Sequence, residues 1–348
     1  MFGQKKLPFP TVSIISKCNN NCCYCFQREN SVQNKKEMVS FDDIKKIVAW
    51  VKNFYPCLIV LGGEPLLHPD IVDIMRYISE QLQKSKIITN LITLDEQQIV
   101  NLIEIKNMNW LINVTPDKKN KDVFDKNIRL LFDKKYEEIN YSKQITFSLT
   151  LTGIEDIDFY YIDNLIDILK KIPQCHRNIR FTPQMPNNEN SKSIYVIRKY
   201  DKQYLYLLKR VKNEKINISA AFDCGMNNYF ISEEVLETIR KSKMFEIKIS
   251  LCSGPFIDIT TDLKVLYCHY SSQKYFPSKY YYEFDTPEQC LNYFIELKNK
   301  FSKNYSSYKI ETINNKKHYD FCPAIMSKIL KKEYIFDIMN KYENFSIN

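Results

Sequence analysis

Three cysteines near the start of the chain have a spacing that suits iron chemistry. In SKCNNNCCYCFQ, the residues Cys18, Cys22 and Cys25 follow directly after the apolar run TVSII. Three thiolates in one loop can each bind a different iron of a cubane cluster, which leaves the fourth iron without a protein ligand. A structural zinc site normally takes four protein ligands, and no further Cys or His stands nearby at a usual spacing. The pattern therefore predicts a 4Fe–4S cluster with one open iron, which can act on a bound molecule.

A second motif, GGEPLLHP, ends the next apolar run. The chain has only 6 glycines, and two of them, Gly62 and Gly63, are adjacent here. Glycine lets a backbone approach another group closely, and Glu64 offers a carboxylate to an ammonium group. The motif therefore predicts a ligand contact at the end of a strand that follows the cysteine loop.

Together these two motifs resemble the radical S-adenosylmethionine superfamily, in which an aromatic residue, here Tyr24, precedes the last cysteine of the loop. The resemblance implies that the open iron binds the amine and carboxylate of S-adenosylmethionine. Reductive cleavage would then yield a 5′-deoxyadenosyl radical that abstracts hydrogen from a substrate. No catalytic residue is assigned beyond the cluster. The implied cofactor-binding residues are Tyr24, Gly62, Gly63, Glu64, Thr89, Asn90, Asn113 and Ser148, with Thr115 near the same cavity. For the strand-end residues beyond Glu64, ordinary bonding to nearby backbone groups is an open alternative.

The elements that must position these residues alternate regularly over the first half of the chain. Strands are predicted at 11–16, 58–61, 86–89, 110–114, 144–149 and 178–182, and helices at 41–54, 71–82, 96–105, 123–132 and 156–170. Ser40 with Asp43 three residues on is a helix-start signal. Six β-then-α units predict an α/β fold, a partial (β/α)6 barrel of parallel strands, over a core domain of residues 1–215.

The second half has a different character and contains four further candidate ligands. A helix is predicted at 199–211, a hairpin at 257–260 and 265–267, and late helices at 287–301 and 324–339. LCSGPFIDITTDLKVLYC resembles the SPASM or twitch extensions that hold auxiliary clusters behind radical S-adenosylmethionine cores. The resemblance implies a smaller α+β domain, residues 216–348, with one auxiliary 4Fe–4S cluster on Cys224, Cys252, Cys268 and Cys322. Buried free thiols or a zinc site are the alternatives, and Cys57 and Cys290 are predicted to be core residues.

The overall composition indicates which partners and which location to expect for the protein. Lys and Arg exceed Asp and Glu by 9 charges, spread along the chain, which favours solvated surface over a nucleic-acid interface. The sequence has no signal peptide and no apolar run long enough to cross a membrane, so a cytoplasmic protein is expected.

The resemblance leaves several substrates open. The leading prediction is a maturase that modifies a peptide or protein, with a flavodoxin or ferredoxin as electron donor. The short segment before Cys18 predicts that leader recognition would need a separate protein or a surface of this one. The alternatives are a twitch-type enzyme for a small molecule or nucleotide, a tRNA-modifying enzyme, and a non-catalytic iron–sulfur sensor.

Overall fold

The computed structural model describes residues 9–22, 24, 25, 27, 34–114, 119–183, 200–216, 219–222, 232–242, 256–267 and 278–305. The helix predicted at 324–339 lies outside these residues.

One mixed sheet runs through the described residues. Its strand order is β10-β9-β8-β1-β2-β3-β4-β5-β6-β7. The strands are β1 (Thr11–Ser13), β2 (Cys57–Leu61), β3 (Lys84–Thr89), β4 (Met108–Asn113), β5 (Ile145–Leu151), β6 (Asn178–Pro183), β7 (Ser219–Phe222), β8 (Asp258–Ile259), β9 (Lys264–Leu266) and β10 (Lys279–Tyr280). Strands β1 to β7 lie side by side in chain order, and each neighbouring pair is parallel. The predicted α/β fold with a partial barrel of parallel strands is confirmed.

Helices connect the consecutive parallel strands β1 to β7, and two further helices follow β7 and β10. They are α1 (Phe41–Val51), α2 (Ile71–Gln81), α3 (Glu96–Ile103), α4 (Lys121–Leu131), α5 (Glu137–Tyr141), α6 (Glu155–Lys171), α7 (Asp201–Asn213), α8 (Glu233–Ser242) and α9 (Pro287–Tyr305). Because right-handed crossovers that always advance in one direction put their helices on the same side, one face of the sheet is covered by helices. Within the described residues, every helix is too short or too polar to cross a bilayer.

Local sequence explains where the first helix begins and which side it buries. The Ser40 side chain accepts a hydrogen bond from the backbone N–H of Asp43, as predicted, and closes the amino end of α1. The buried residues that follow are Ile44, Ile47, Val48 and Val51. Their spacing of three and four places one apolar stripe against the sheet.

The structure adds two parallel pairings that the alternating pattern did not predict. Strand β7 extends the sheet beyond β6, and β8 pairs in parallel with β1, where Thr11 is opposite Asp258. The predicted hairpin is present as β8 and β9; β8 is shorter than predicted, and β9 begins one residue earlier than predicted. Residues from beyond position 215 therefore lie at both edges of the described sheet. The division into domains at 215/216 stays a prediction.

Strand β1 is also shorter than predicted, and the reason bears on the site. After Ser13 the chain leaves the regular ladder and pairs with a different segment. Ile15 forms an antiparallel bridge with Met38, and the backbone N–H of Ser16 donates to the Glu37 carbonyl. Residues 14–17 are thus held on one side by the end of β2 and on the other by residues 37–39.

Candidate functional site

The cysteine loop begins where residues 14–17 end. Cys18 is exposed, whereas Cys22 and Cys25 are half-buried. The backbone N–H of Cys25 donates to the Cys22 carbonyl at 3.1 Å, which forms a tight turn between these two cysteines. Tyr24 lies in that turn and is half-buried. The three cysteines therefore lie in one loop that is not closed off from solvent.

The glycine pair locks the end of β2 against the segment that leads into the loop. The N–H of Gly63 donates to the Ile15 carbonyl at 2.7 Å, and the N–H of Glu64 donates to the Lys17 carbonyl at 2.9 Å. A Cβ on Gly62 would lie 2.4 Å from the Ile15 oxygen, and one on Gly63 would lie 2.1 Å from the Lys17 oxygen. Gly62 also has φ +156°, which side-chain-bearing residues rarely adopt. The close approach expected of these glycines is therefore made to the chain itself, directly before Cys18.

The Glu64 carboxylate is buried and surrounded by donors. One oxygen accepts from the Thr89 hydroxyl at 2.6 Å and from the Leu66 N–H at 3.0 Å. The other oxygen accepts from the Asn90 N–H at 2.7 Å. Burial raises the pKa of Glu64 to about 7, although these three hydrogen bonds act in the opposite direction. The sequence motif is thus tied to the end of β3, where Thr89 and Asn90 were predicted to lie near the same cavity.

Asn90 links that carboxylate to the cysteine loop. Its side-chain amide lies 3.8 Å from the Cys18 sulfur and 2.9 Å from the Asn19 side-chain oxygen, and it donates toward both. The Asn19 amide in turn donates to the Ile92 carbonyl. The pKa of Cys18 is raised by desolvation and then by the negative charges of Glu64, Cys22 and Cys25, so all four groups lie within electrostatic range.

One supporting residue had no signal in the sequence. Asn127 on α4 is buried, and its amide donates to the carbonyls of Leu91 at 3.0 Å and Thr93 at 2.8 Å. Leu91 has φ +57°, and its N–H is bonded to the Thr89 hydroxyl at 2.8 Å. Asn127 therefore braces a left-handed turn directly after Asn90. Nothing in the local pattern separates this Asn from the polar residues of a solvated helix face.

Two of the remaining predicted residues lie on the sheet, away from these contacts. Asn113 at the end of β4 and Ser148 on β5 are register partners. Asn113 is half-buried, and Ser148 is 4% exposed. Thr115 and the proposed auxiliary ligands Cys224, Cys252, Cys268 and Cys322 lie outside the described residues.

The groups around the Cys18 sulfur fit a ligand of an iron–sulfur cluster. In the described parts of the chain, no three His, Cys, Asp or Glu side chains converge on a point where one metal ion would sit. A cubane instead needs its thiolates on separate irons. The Cys18 sulfur has two donors aimed at it, the Asn20 N–H at 3.5 Å and the Asn90 amide, which favour a thiolate. This donor set suits a cluster ligand.

Two predicted core cysteines, Cys57 and Cys290, are buried as expected. Cys175, which had no predicted role, is exposed on a short turn. His68 is buried next to the glycine motif, with one ring nitrogen bonded to the Val39 carbonyl at 2.9 Å and the other accepting from the Asp70 N–H. It therefore packs there as a structural residue.

Comparisons with known proteins agree with this geometry. The Radical SAM superfamily profile matches residues 12–129. A probable GTP 3′,8-cyclase from Methanococcus vannielii is 26% identical over 195 residues, 53% of this chain and 62% of that protein. A GTP 3′,8-cyclase from Clostridium botulinum is 27% identical over 266 residues, 66% of this chain and 80% of the relative.

A solved structure supports the fold. Streptococcus suis SuiB bound to S-adenosylmethionine superposes with a TM-score of 0.55 at 16% identity, over 81% of this chain and 66% of SuiB. The chain spans less than two thirds of SuiB and of the Methanococcus relative. The matched residues 12–129 contain the cysteine loop, the glycine motif and the Thr89–Asn90 turn that the contacts above join. Residues 12–129 therefore form a radical SAM superfamily domain, the domain of enzymes that use a 4Fe–4S cluster and S-adenosylmethionine.

Proposed function

We propose that this protein cleaves S-adenosylmethionine reductively and uses the radical to abstract hydrogen from a substrate. The observation that carries the proposal is the pair of backbone hydrogen bonds from Gly63 and Glu64 to Ile15 and Lys17. These bonds join the cysteine loop and a buried carboxylate into one unit, as a site for a cluster and an ammonium group requires. When bound, the cluster supplies the electron for cleavage, and the 5′-deoxyadenosyl group becomes the hydrogen-abstracting radical.

The loop residues have the first role in this proposal. Cys18, Cys22 and Cys25 would hold three irons, with Tyr24 packed beside the last thiolate. Donors to the Cys18 sulfur from Asn20 and Asn90 support this assignment, because they stabilise negative charge on sulfur. The fourth iron would remain open for the methionyl group.

Glu64 has the second role. Its carboxylate would bind the methionyl ammonium, and Gly62 and Gly63 would fix its position relative to the loop. Thr89 and Asn90 keep both carboxylate oxygens oriented through hydrogen bonds. A cation beside Glu64 lowers the pKa of its carboxyl, which burial has raised.

The remaining assignments rest on the sheet and on sequence alone. Asn113 and Ser148, register partners on β4 and β5, would contact the rest of the cofactor. An auxiliary 4Fe–4S cluster on Cys224, Cys252, Cys268 and Cys322 would occupy the SPASM- or twitch-like domain of residues 216–348.

For the substrate, we propose a peptide or protein modified in the cytoplasm, with flavodoxin or ferredoxin as the reductant. The SPASM- or twitch-like sequence is the feature that supports a peptide. A small molecule or nucleotide is the second candidate, because several of the matched curated relatives are GTP 3′,8-cyclases. Co-expression with a precursor peptide encoded nearby separates the two, because only the first produces a change in peptide mass.

The cleavage step is tested by anaerobic reconstitution with iron, sulfide and dithionite. We expect release of 5′-deoxyadenosine from the wild type and none from Cys18→Ala. Cys175→Ala, which removes an exposed cysteine far from the loop in sequence, is the matched control and should retain wild-type release. A reducible cluster that never cleaves S-adenosylmethionine would contradict the proposal and indicate a sensor.

The auxiliary cluster has its own test on the same samples. Two clusters predict about eight irons per chain and one cluster predicts about four. Cys268→Ala should lose about four irons, keep S-adenosylmethionine cleavage and stop product formation. Full turnover by Cys268→Ala would show that the auxiliary assignment is wrong.

A further inference from the structure

The turn that follows β3 is held in an unusual backbone conformation. Leu91 is fully buried and has φ +57°, a left-handed value that bulky residues rarely adopt. Such a conformation persists only where the surrounding contacts hold it. Here the Leu91 N–H donates to the Thr89 hydroxyl at 2.8 Å, and the Leu91 carbonyl accepts from the Asn127 amide at 3.0 Å. Leu91 is therefore held on both sides.

Asn127 reaches this turn from α4. Its side chain is 1% exposed, and its amide also donates to the Thr93 carbonyl at 2.8 Å. Among the described residues, its side-chain oxygen has no hydrogen-bond partner, so Asn127 contributes to the turn through its amide. Because both bonds of the amide go to the turn, an effect of Asn127 on the cysteine loop has to pass through the turn.

The turn fixes the direction of the Asn90 side chain. The side-chain oxygen of Asn90 accepts from the Ile92 N–H at 2.8 Å, and the position of that N–H depends on the backbone angles of Leu91. With its oxygen held in this way, the side chain directs its amide away from the turn. The amide donates to the Asn19 side-chain oxygen at 2.9 Å and toward the Cys18 sulfur at 3.8 Å. The left-handed Leu91 therefore helps to direct a donor at Cys18.

A donor at this sulfur changes how readily a bound cluster accepts an electron. Reduction adds a negative charge that the ligand sulfurs share, so an N–H donor stabilises the reduced state more than the oxidised state. Hydrogen bonds to the sulfurs are accordingly one of the factors that set the reduction potential of iron–sulfur clusters. The Asn20 N–H is another donor to Cys18, at 3.5 Å, but it belongs to the loop itself. Asn90 brings a donor from a different part of the sheet.

We propose that the Asn90 amide raises the reduction potential of the cluster, and that Asn127 is the positioning residue that keeps this amide directed at the Cys18 sulfur. The inference rests on the proposed function, since it needs the cluster on the cysteine loop. It adds a determinant that lies outside both sequence motifs, on the helix between β4 and β5. The step it affects is the transfer of one electron from an external reductant to the cluster, in which no bond of the protein forms or breaks.

The test is a redox titration of the reconstituted full-length protein without S-adenosylmethionine, followed by cluster absorbance. Loss of a hydrogen bond to a charged group should shift the one-electron equilibrium about tenfold, which corresponds to about 59 mV. We expect Asn90→Ala and Asn127→Ala each to lower the potential by about this amount. Asn127→Leu, which fills the space of the side chain without a donor, should lower it as well and replaces Asn127→Ala if that variant does not fold.

Asn140→Ala is the matched control. Asn140 is also buried, and its amide donates to a backbone carbonyl, that of Leu131, at 2.6 Å. It lies before the amino end of β5, at the opposite edge of the parallel sheet from the turn after β3. We expect Asn140→Ala to lose about as much stability in urea as Asn127→Ala and to keep the wild-type potential. Equal shifts of the potential in these two variants would overturn the positioning role of Asn127.

The remaining outcomes distinguish this inference from the proposed function. A wild-type cluster whose potential is unchanged in Asn90→Ala would overturn the inference and leave cleavage of S-adenosylmethionine unaffected. A shift in Asn90→Ala without a shift in the Asn127 variants would overturn the role of Asn127. A wild type that forms the cluster but never cleaves S-adenosylmethionine overturns the proposed function alone, because the titration contains no S-adenosylmethionine. Absent cluster absorbance in the wild type overturns both and is seen before any titration.

Discussion

At the residue scale, Glu64 makes stability depend on pH. Burial raises its pKa to about 7, so between its ordinary range and that value the folded chain keeps a proton that the unfolded chain has released. Without S-adenosylmethionine, the free energy of unfolding should fall as pH rises through this window. Glu64→Gln does not titrate. It should therefore gain stability relative to the wild type between pH 5 and 8, by about 1.4 kcal/mol for each pKa unit of the shift.

Urea denaturation of the wild type and of Glu64→Gln at pH 5 and at pH 8 measures this difference in the free energy of unfolding. The other titrating groups contribute equally in both proteins, so their effects cancel. Glu80→Gln, at an exposed position on α2, is the control and should follow the wild type. If the gap between Glu64→Gln and the wild type stays constant with pH, the carboxyl is already ionised in the folded chain and the interpretation is wrong.

Gly63 supports a second prediction at this scale. An alanine Cβ would lie 2.1 Å from the Lys17 oxygen, so the segment before Cys18 has to move. Gly63→Ala should lose about 1–3 kcal/mol of stability, as overpacked sites do, and should bind less than half the iron of the wild type. Chemical denaturation and iron analysis after reconstitution measure both effects.

A control separates general instability from displacement of the loop. Gly153 also has a positive φ, +78°, but it follows β5. Gly153→Ala should cost about 1–2 kcal/mol through backbone strain and leave the iron content unchanged. If Gly63→Ala and Gly153→Ala lose equal amounts of iron, the iron loss in Gly63→Ala is explained by lower stability alone.

At the element scale, the β8–β9 hairpin holds the segment that returns from the cysteine loop. The Asp262 carboxylate in its turn accepts hydrogen bonds from the backbone N–H groups of Lys35 at 3.0 Å and Lys36 at 2.7 Å. Asp262→Asn should loosen this segment, and trypsin should cleave after Lys35 or Lys36 several-fold faster. Mass spectrometry of timed digests measures the rate. Asp42→Asn, which removes an exposed carboxylate from α1, is the control and should be digested at the rate of the wild type. If all three proteins are digested at equal rates, Asp262 does not hold this segment.

Elements with a local pattern were predictable, and contacts between distant segments were not. The short apolar runs of β2 to β6 and the Ser40 cap are visible in the sequence because each depends on near neighbours. The cysteine loop was visible from its spacing, and the motif with Glu64 was visible because glycine is rare in this chain. The Asp262 contact and the Asn127 brace join segments that are far apart in the chain, and the local sequence around each residue does not report such contacts.

At the scale of the whole molecule, the two halves should unfold together. The Trp50 indole on α1 donates to the Phe284 carbonyl at 3.0 Å, whereas Trp110 is fully buried on β4. The chain has 2 tryptophans, so Trp110→Phe leaves one that reports on the contact between the halves, and Trp50→Phe leaves one that reports on the central sheet. In each variant, we expect fluorescence and far-ultraviolet circular dichroism to show the same urea midpoint.

Because the two probes are compared within the same variant, a change in stability caused by the substitution does not affect the comparison. If Trp50 fluorescence changes at lower urea than the circular dichroism signal, residues beyond 215 unfold separately. That result would favour the domain division at 215/216 as an energetic boundary.

The pairing of β1 with β8 also constrains how the protein is made. The buried Thr11 hydroxyl bonds to the Asp258 carboxylate at 2.5 Å, across a separation of 247 residues. A ribosome adding about 5–20 residues per second releases the first partner many seconds before the second exists. Strand β1 can pair with β2 early in translation, but its other edge has no partner until β8 has been made. The strand that leads into the cysteine loop is therefore paired on both edges only after most of the polypeptide has left the exit tunnel.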